Sequence, residues 1–217
     1  MRKSELSKGD YLTLPVSPRR ATEVLVVLTI MVIAMGGMIR IYDAGESCPD
    51  WPTCFGTFGF DISEEEQGEW WDENPDEADS RGSGHRYTSF QIFTEWFHRL
   101  LAGALVGPLV IVNWFLVRKE IWNSPRVRGV SSLTLALILW QGAIGWLTVK
   151  FDNENWSVAI HLGSALAFLI SLIWLWIEIR RDEEDLPKWV NFDPLVGMKW
   201  RKWIGVLSFS TLITLFS

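Results

Sequence analysis

Two histidines are the first residues in this chain whose chemistry needs an account. His98 and His161 each lie in a long apolar stretch, about six and five residues from its start. Ionisable side chains are rare in such stretches and usually functional. If successive spans alternate in direction, these two run the same way. At about 1.5 Å per residue their imidazoles then reach nearly the same depth. Two imidazoles at matched depth can clamp a flat cofactor from both sides, and imidazole is a common axial ligand of haem iron. The pair could instead hold another metal, relay protons, or be two unrelated hydrogen-bonded histidines. Haem ligated by His98 and His161 is the reading this pattern favours.

Other polar residues cluster around the pair. Glu95 precedes His98 by three residues and shares its helix face. It is the candidate catalytic carboxylate, able to pass protons or position water, or else an acid placed by the dipole at a helix start. Arg99 follows His98, and Arg40 closes the first stretch on the same side. Each is a candidate to bind a haem propionate, or to snorkel to lipid headgroups. Cys48 and Cys54 are the only cysteines. Two thiols are too few for a metal site, and in an oxidising loop they are expected to form a disulfide. Gln141 sits in the middle of the third stretch and is expected to hydrogen-bond across helices. Gly103, Gly107, Gly163, Ser164 and Ala165 are small enough to let a porphyrin, or a neighbouring helix, come close. His85 is assigned no ligand role.

The elements that position these residues are apolar helices. Four stretches, about 23–41, 92–117, 130–149 and 156–179, have the length needed to cross a hydrocarbon core of roughly 30 Å. A fifth, 203–217, is too short to span comfortably and reads as the start of a fifth transmembrane helix, cut off. The expected fold is therefore all-α, a polytopic membrane four-helix bundle plus a partial fifth helix. The 14 Trp fit a protein with rings at the lipid–water interface. Mean hydropathy is only +0.14 because the charges are concentrated between the apolar stretches. Membrane lipid is thus an expected partner, and nucleic acid is not.

Basic residues fall on one side of such a bundle: Arg2, Lys3, Lys8, Arg19 and Arg20 before the first span, Arg118, Lys119, Arg126 and Arg128 after the second, and Arg180, Arg181, Lys188, Lys199, Arg201 and Lys202 after the fourth. The positive-inside rule puts the N-terminal segment, 1–22, and the loop 181–202 in the cytoplasm of a multi-pass cell-membrane protein. No cleavable signal peptide is evident, so the first helix is expected to remain as an anchor. The long outer loop carries an insert, about 61–86, whose acidic run from Asp61 to Asp79 has no Lys or Arg. Such a run is usually solvated and flexible, and it is assigned no chemistry.

Taken in order, the motifs resemble the N-terminal half of a haem A synthase. "GGMIR" closes the first helix and "SCPDWPTC" with "FG" follows it. "EWFHR" opens the second helix, "QGAIGWLTV" lies in the third and "AIHL" in the fourth. The resemblance covers about residues 23–180. It implies an eight-helix protein of two four-helix halves, each with a histidine pair, that oxidises the methyl group of haem O to the formyl group of haem A for cytochrome oxidase assembly. His98 and His161 would be the pair of the first half, Glu95 its functionally important carboxylate, and Cys48 and Cys54 the cysteine pair of bacterial and archaeal members. The implied cofactor is haem b, haem O as substrate, or both. Implied partners are a haem O synthase, an electron donor, and a second copy of the chain to supply a second histidine pair. Three features depart from the family: the second half, which this sequence lacks beyond the partial fifth helix, the acidic insert, and Phe55, which stands where many members carry a His. The competing reading is a bis-histidine b-type membrane cytochrome that only transfers electrons.

Overall fold

The computed structural model describes residues 17–77, 80–121 and 124–185. The expected fifth helix and the most N-terminal basic residues lie outside them. Four helical segments among the described residues are long and apolar enough to cross a membrane: Pro18–Ile41, Ser89–Glu120, Pro125–Lys150 and Asn155–Asp182. The chain is a multi-pass membrane protein with an all-α bundle.

Each span extends a few residues past its apolar stretch, because capping rather than hydropathy ends a helix. Helix α1 (Pro18–Ile41) begins behind Ser17, whose hydroxyl accepts from the Arg20 N–H, with Pro18 in the first turn, where a missing N–H costs nothing. Thr88 and Gln91 form a reciprocal capping box at the start of the second span. Helices α5 (Pro125–Lys150) and α6 (Asn155–Asp182) complete the bundle.

The second span is not one uniform helix. It is built from α3 (Ser89–Arg99), a π-helical turn (Leu100–Val106) and α4 (Gly107–Glu120). Pro108 has no N–H to give to a preceding carbonyl, and the Gly107 N–H reaches back five residues to Ala102 O. The wide turn absorbs one extra residue, which changes what faces what. At 3.6 residues per turn, residues nine apart point to opposite sides of an α-helix, roughly 180° apart. Here His98 and Gly107 line the same cleft.

Helix α1 packs on α3, α4 and α6, while α5 packs on α4 and α6. The second span and α6 therefore lie on one diagonal of the bundle, and α1 and α5 on the other. Leu25, Val106, Val110, Phe168 and Leu172 form one buried layer. Val117, Val127, Val130, Leu175 and Ile179 form the next, farther from the histidines. Polar contacts add to packing where lipid gives no hydrophobic drive: Asn113 Nδ2 donates to Thr22 Oγ1 at 2.9 Å, joining α4 to α1.

The acidic insert differs from its expected flexible state. Residues Glu64–Glu73 form helix α2, opened by a capping box between Ser63 and Glu66. The two hydrogen bonds from Ser63 hold the Glu66 carboxyl below its ordinary range. Gln67 and Trp71, four residues apart, turn inward while the acids face out. Trp71 is packed in a core with Cys48, Cys54, Phe55, Ile62, Tyr87 and Ile92. Gln67 closes it by donating to Tyr87 O at 3.0 Å and accepting from Tyr87 N at 2.8 Å. A count of charges misses this one buried stripe.

Replacing Trp71 by Ala should remove about 3–5 kcal/mol from this outer unit. Limited proteolysis in membranes should then cut within 61–88 while the four spans stay inserted. A digestion pattern identical to the parent's would show that Trp71 does not hold the unit.

Candidate functional site

The diagonal arrangement sets the site. His98 from α3 and His161 from α6 both line one cleft of about 350 Å³, at the bundle end that carries the long loop. A glycine from the other diagonal lies against each ring. A Cβ built on Gly36 would sit 3.5 Å from His98 Cε1, an ordinary contact. One on Gly145 would sit 3.1 Å from His161 Cε1, closer than side chains normally tolerate. A side chain at position 145 would therefore press on the His161 ring. Gly103 and Gly142 also line the cleft, and a Cβ on either meets nothing within 4 Å.

The two imidazoles are held differently. The Gln141 amide Nε2 lies 3.2 Å from His161 Nδ1 and donates to His161 O at 3.1 Å. Ser164 Oγ donates in turn to Gln141 Oε1. This chain fixes the His161 ring between α5 and α6. His98 Nδ1, by contrast, is buried without a hydrogen-bond partner. Such an atom costs about 1–3 kcal/mol, more readily borne where a ligand engages the ring. Gln141 bridges helices as expected, and it does so at the histidine itself.

The Glu95 carboxylate is buried and lines the cleft. Its Oε2 accepts from Ser47 Oγ and from the Cys48 N–H, each at 2.9 Å. Its Oε1 accepts from Arg99 Nη2. Arg99, a candidate partner for a propionate, lines the cleft and also turns its guanidinium onto the loop. Nη2 donates to Cys48 O at 2.7 Å, and Nη1 to Asp50 O and, at 3.2 Å, to Thr53 O. A planar fork of donors matches converging carbonyls better than a lone ammonium would. Glu95 and Arg99, one helical turn apart, thus clamp the loop that the Cys48–Cys54 disulfide closes.

Arg40 lines the mouth of the cleft and donates to Asn155 Oδ1. Beside it stands Arg81, a residue the sequence reading missed. It comes from the insert and pairs with Asp43 at 2.9 Å and Glu46 at 3.8 Å. Its only sequence signal is that it is the first cation after the acidic run. His85 packs on Tyr87 and lies 3.3 Å from Arg81 Nη1, outside the cleft. Phe55 is buried edge-on against Trp70 and Trp71, so the insert's own rings cover it.

Residues 19–217 match the COX15-CtaA family, described as cytochrome oxidase assembly protein. A heme A synthase of Shewanella oneidensis is 33% identical over 174 residues, covering 79% of this chain and 49% of that protein. One from Caulobacter vibrioides is 31% identical over 224 residues, covering 87% of this chain and 57% of that protein. A heme A synthase–mitochondrial ferredoxin fusion protein of Schizosaccharomyces pombe is 26% identical over 167 residues, 68% of this chain and 26% of that protein. The chain spans about half the length of the curated relatives it matches. No solved structure is significantly similar to it.

Removing one partner of a buried ion pair leaves an uncompensated charge at a cost of about 3–5 kcal/mol. Arg99→Ala should therefore loosen the disulfide loop. After mild reductant, Cys48 and Cys54 should label with a thiol reagent at least tenfold faster than in the parent. Equal labelling rates would mean that the pair does not hold the loop.

Proposed function

The chain belongs to the COX15-CtaA family of cytochrome oxidase assembly proteins, and from that premise we propose that it carries a haem site of a haem A synthase, acting in oxidation of the haem O methyl group to the formyl group of haem A. The observation that carries the proposal is the pair His98 and His161, facing one glycine-lined cleft across the bundle diagonal. The unpartnered His98 Nδ1 and the close approach enforced at Gly145 fit a flat group ligated between the rings. Either haem b or haem O satisfies that geometry. When bound, haem supplies the redox-active iron that such an oxidation needs.

The protein's own residues then divide the work. His98 and His161 would ligate the iron, with Gln141 and Ser164 fixing the second ring. Arg40, at the polar mouth, would pair with a propionate. Arg99 lines the same cleft but acts chiefly through the loop it clamps. Glu95 is the proposed catalytic carboxylate. A proton at its Oε2 can pass to or from Ser47 Oγ, 2.9 Å away. The disulfide loop over them keeps water from the carboxylate.

The basic ends of the spans, with Arg19, Arg20, Arg118, Arg128, Arg180 and Arg181, lie at the end opposite the cleft. This supports a cytoplasmic N-terminus and a cleft on the outer side, where a disulfide persists. The fission-yeast fusion supports an iron–sulfur protein of the ferredoxin class as electron donor. A haem O synthase would supply the substrate, and a second copy of the chain would supply a second histidine pair.

Purified protein should show a low-spin haem spectrum, abolished or altered by His98→Ala and by His161→Ala. If both variants keep the parent spectrum, the ligands are wrong. Glu95→Gln keeps the shape of the side chain and removes its titration. In cells making a complete, active version of the enzyme it should leave haem bound but lower haem A formation. Normal haem A levels would reduce Glu95 to a clamp for the loop and favour a purely electron-carrying cytochrome.

A further inference from the structure

We infer that the cleft is open sideways to the bilayer, through a slot between the π turn and α5, and that this slot takes the isoprenoid chain of a haem O-type ligand. The inference rests on the haem reading above and adds the route and the tail site.

Three observations carry it. Packing comes first. At the cleft end, α3 and the π turn pack on α1, while α5 packs on α6. Lower down α5 packs on α4, whereas α5 and the π turn share no comparable packing. The second observation is what lines the gap. Gly103 on the π turn and Gly142 on α5 are both exposed, and neither has an atom within 4 Å of a built Cβ. The flanking cleft residues, Ala102, Ile138 and Trp146, are apolar.

The third observation is the distribution of charge along the cleft. Arg40, Asp43, Glu46, Arg81, Asp152 and Asn153 all stand at the loop end. At the depth of the spans the lining is mostly glycine and apolar side chains, apart from the histidines, Gln141, Thr148 and the Glu95–Arg99 pair. A planar ligand with carboxylates on one edge and a long apolar chain on the other fits such a cleft in one orientation. Its carboxylates face the arginines and its chain leaves through the slot. Haem O has that shape; haem b has the carboxylates but not the chain. An isoprenoid chain already dissolved in the bilayer reaches the slot without passing through water.

The test is a spectral titration of the full chain in lipid nanodiscs with haem b and with haem O. The chains compared are the parent, Gly103→Phe and Gly142→Phe. The parent should bind both haems. Each variant should weaken haem O binding at least tenfold more than it weakens haem b binding, because the new ring obstructs the slot that only the isoprenoid chain uses. If the variants bind both haems as the parent does, or lose both to the same degree, the slot is overturned and the histidine site stands. If the parent binds neither, the haem reading itself fails. A photoreactive benzoyl-phenylalanine at position 142 should cross-link to lipid in the haem-free protein. Cross-linking to a second copy of the chain instead would overturn the opening to the bilayer.

Discussion

A polar side chain inside an apolar span has to find its partners within the protein, because lipid offers none. That constraint organises this molecule. Glu95 and Arg99 satisfy each other and then the disulfide loop, so the charge carried into α3 anchors everything between Ser47 and Thr53. Gln141 satisfies itself on His161 and Ser164, so the third span is tied to the fourth at the depth of the ring. Among the described residues, His98 Nδ1 is one of a few buried polar atoms without a hydrogen-bond partner, with Asn113 Oδ1 and Ser131 Oγ elsewhere in the bundle. Of these three, only His98 lines the cleft.

The π turn reconciles two demands that one regular helix cannot meet. The lower part of the second span has to present Val106, Val110, Asn113 and Val117 to its neighbours, at regular α spacing. The upper part has to present Glu95 to the loop and His98 to the cleft. One absorbed residue, placed by Gly107 and Pro108, offsets the two faces. The same widening brings Gly103 and Gly107 to the cleft wall. The small residues after His98 therefore serve the cleft rather than close helix packing, a choice their types alone left open.

Much of this was legible because it depends on local rules. Apolar length marks the spans, and ionisable residues within them mark the site. The disulfide followed from two cysteines in one loop. What sequence could not give was direction. Arg99 sits next to His98, but whether its guanidinium meets a propionate or three backbone carbonyls depends on where the 48–54 loop lies. The acidic run misled for a related reason. Ten acids outweigh Gln67 and Trp71 in any average, yet those two residues decide that α2 folds onto the disulfide loop. The π turn was hidden because Gly and Pro in a membrane helix more often mark packing or a kink.

The way the insert is attached follows from the strength of each contact. On its disulfide side it is held by Trp71, Phe55 and Tyr87 in a closed apolar core, with Gln67 bonded twice to the Tyr87 backbone. Toward the cleft mouth the contacts are ionic. Arg81 reaches Asp43 and the buried Glu46, and Ser80 donates to both Glu46 oxygens at 2.8 and 3.1 Å. On the α5 side, among the described residues, an exposed pair joins Lys150 to Glu77 at 3.1 Å. Exposed pairs contribute about 0–1 kcal/mol, whereas a buried aromatic contributes several times that. The insert is therefore fixed at the disulfide and only lightly tied at α5. Its firm half shields the Glu95 clamp from water, and its light half borders the mouth through which a ligand's carboxylates would meet Arg40.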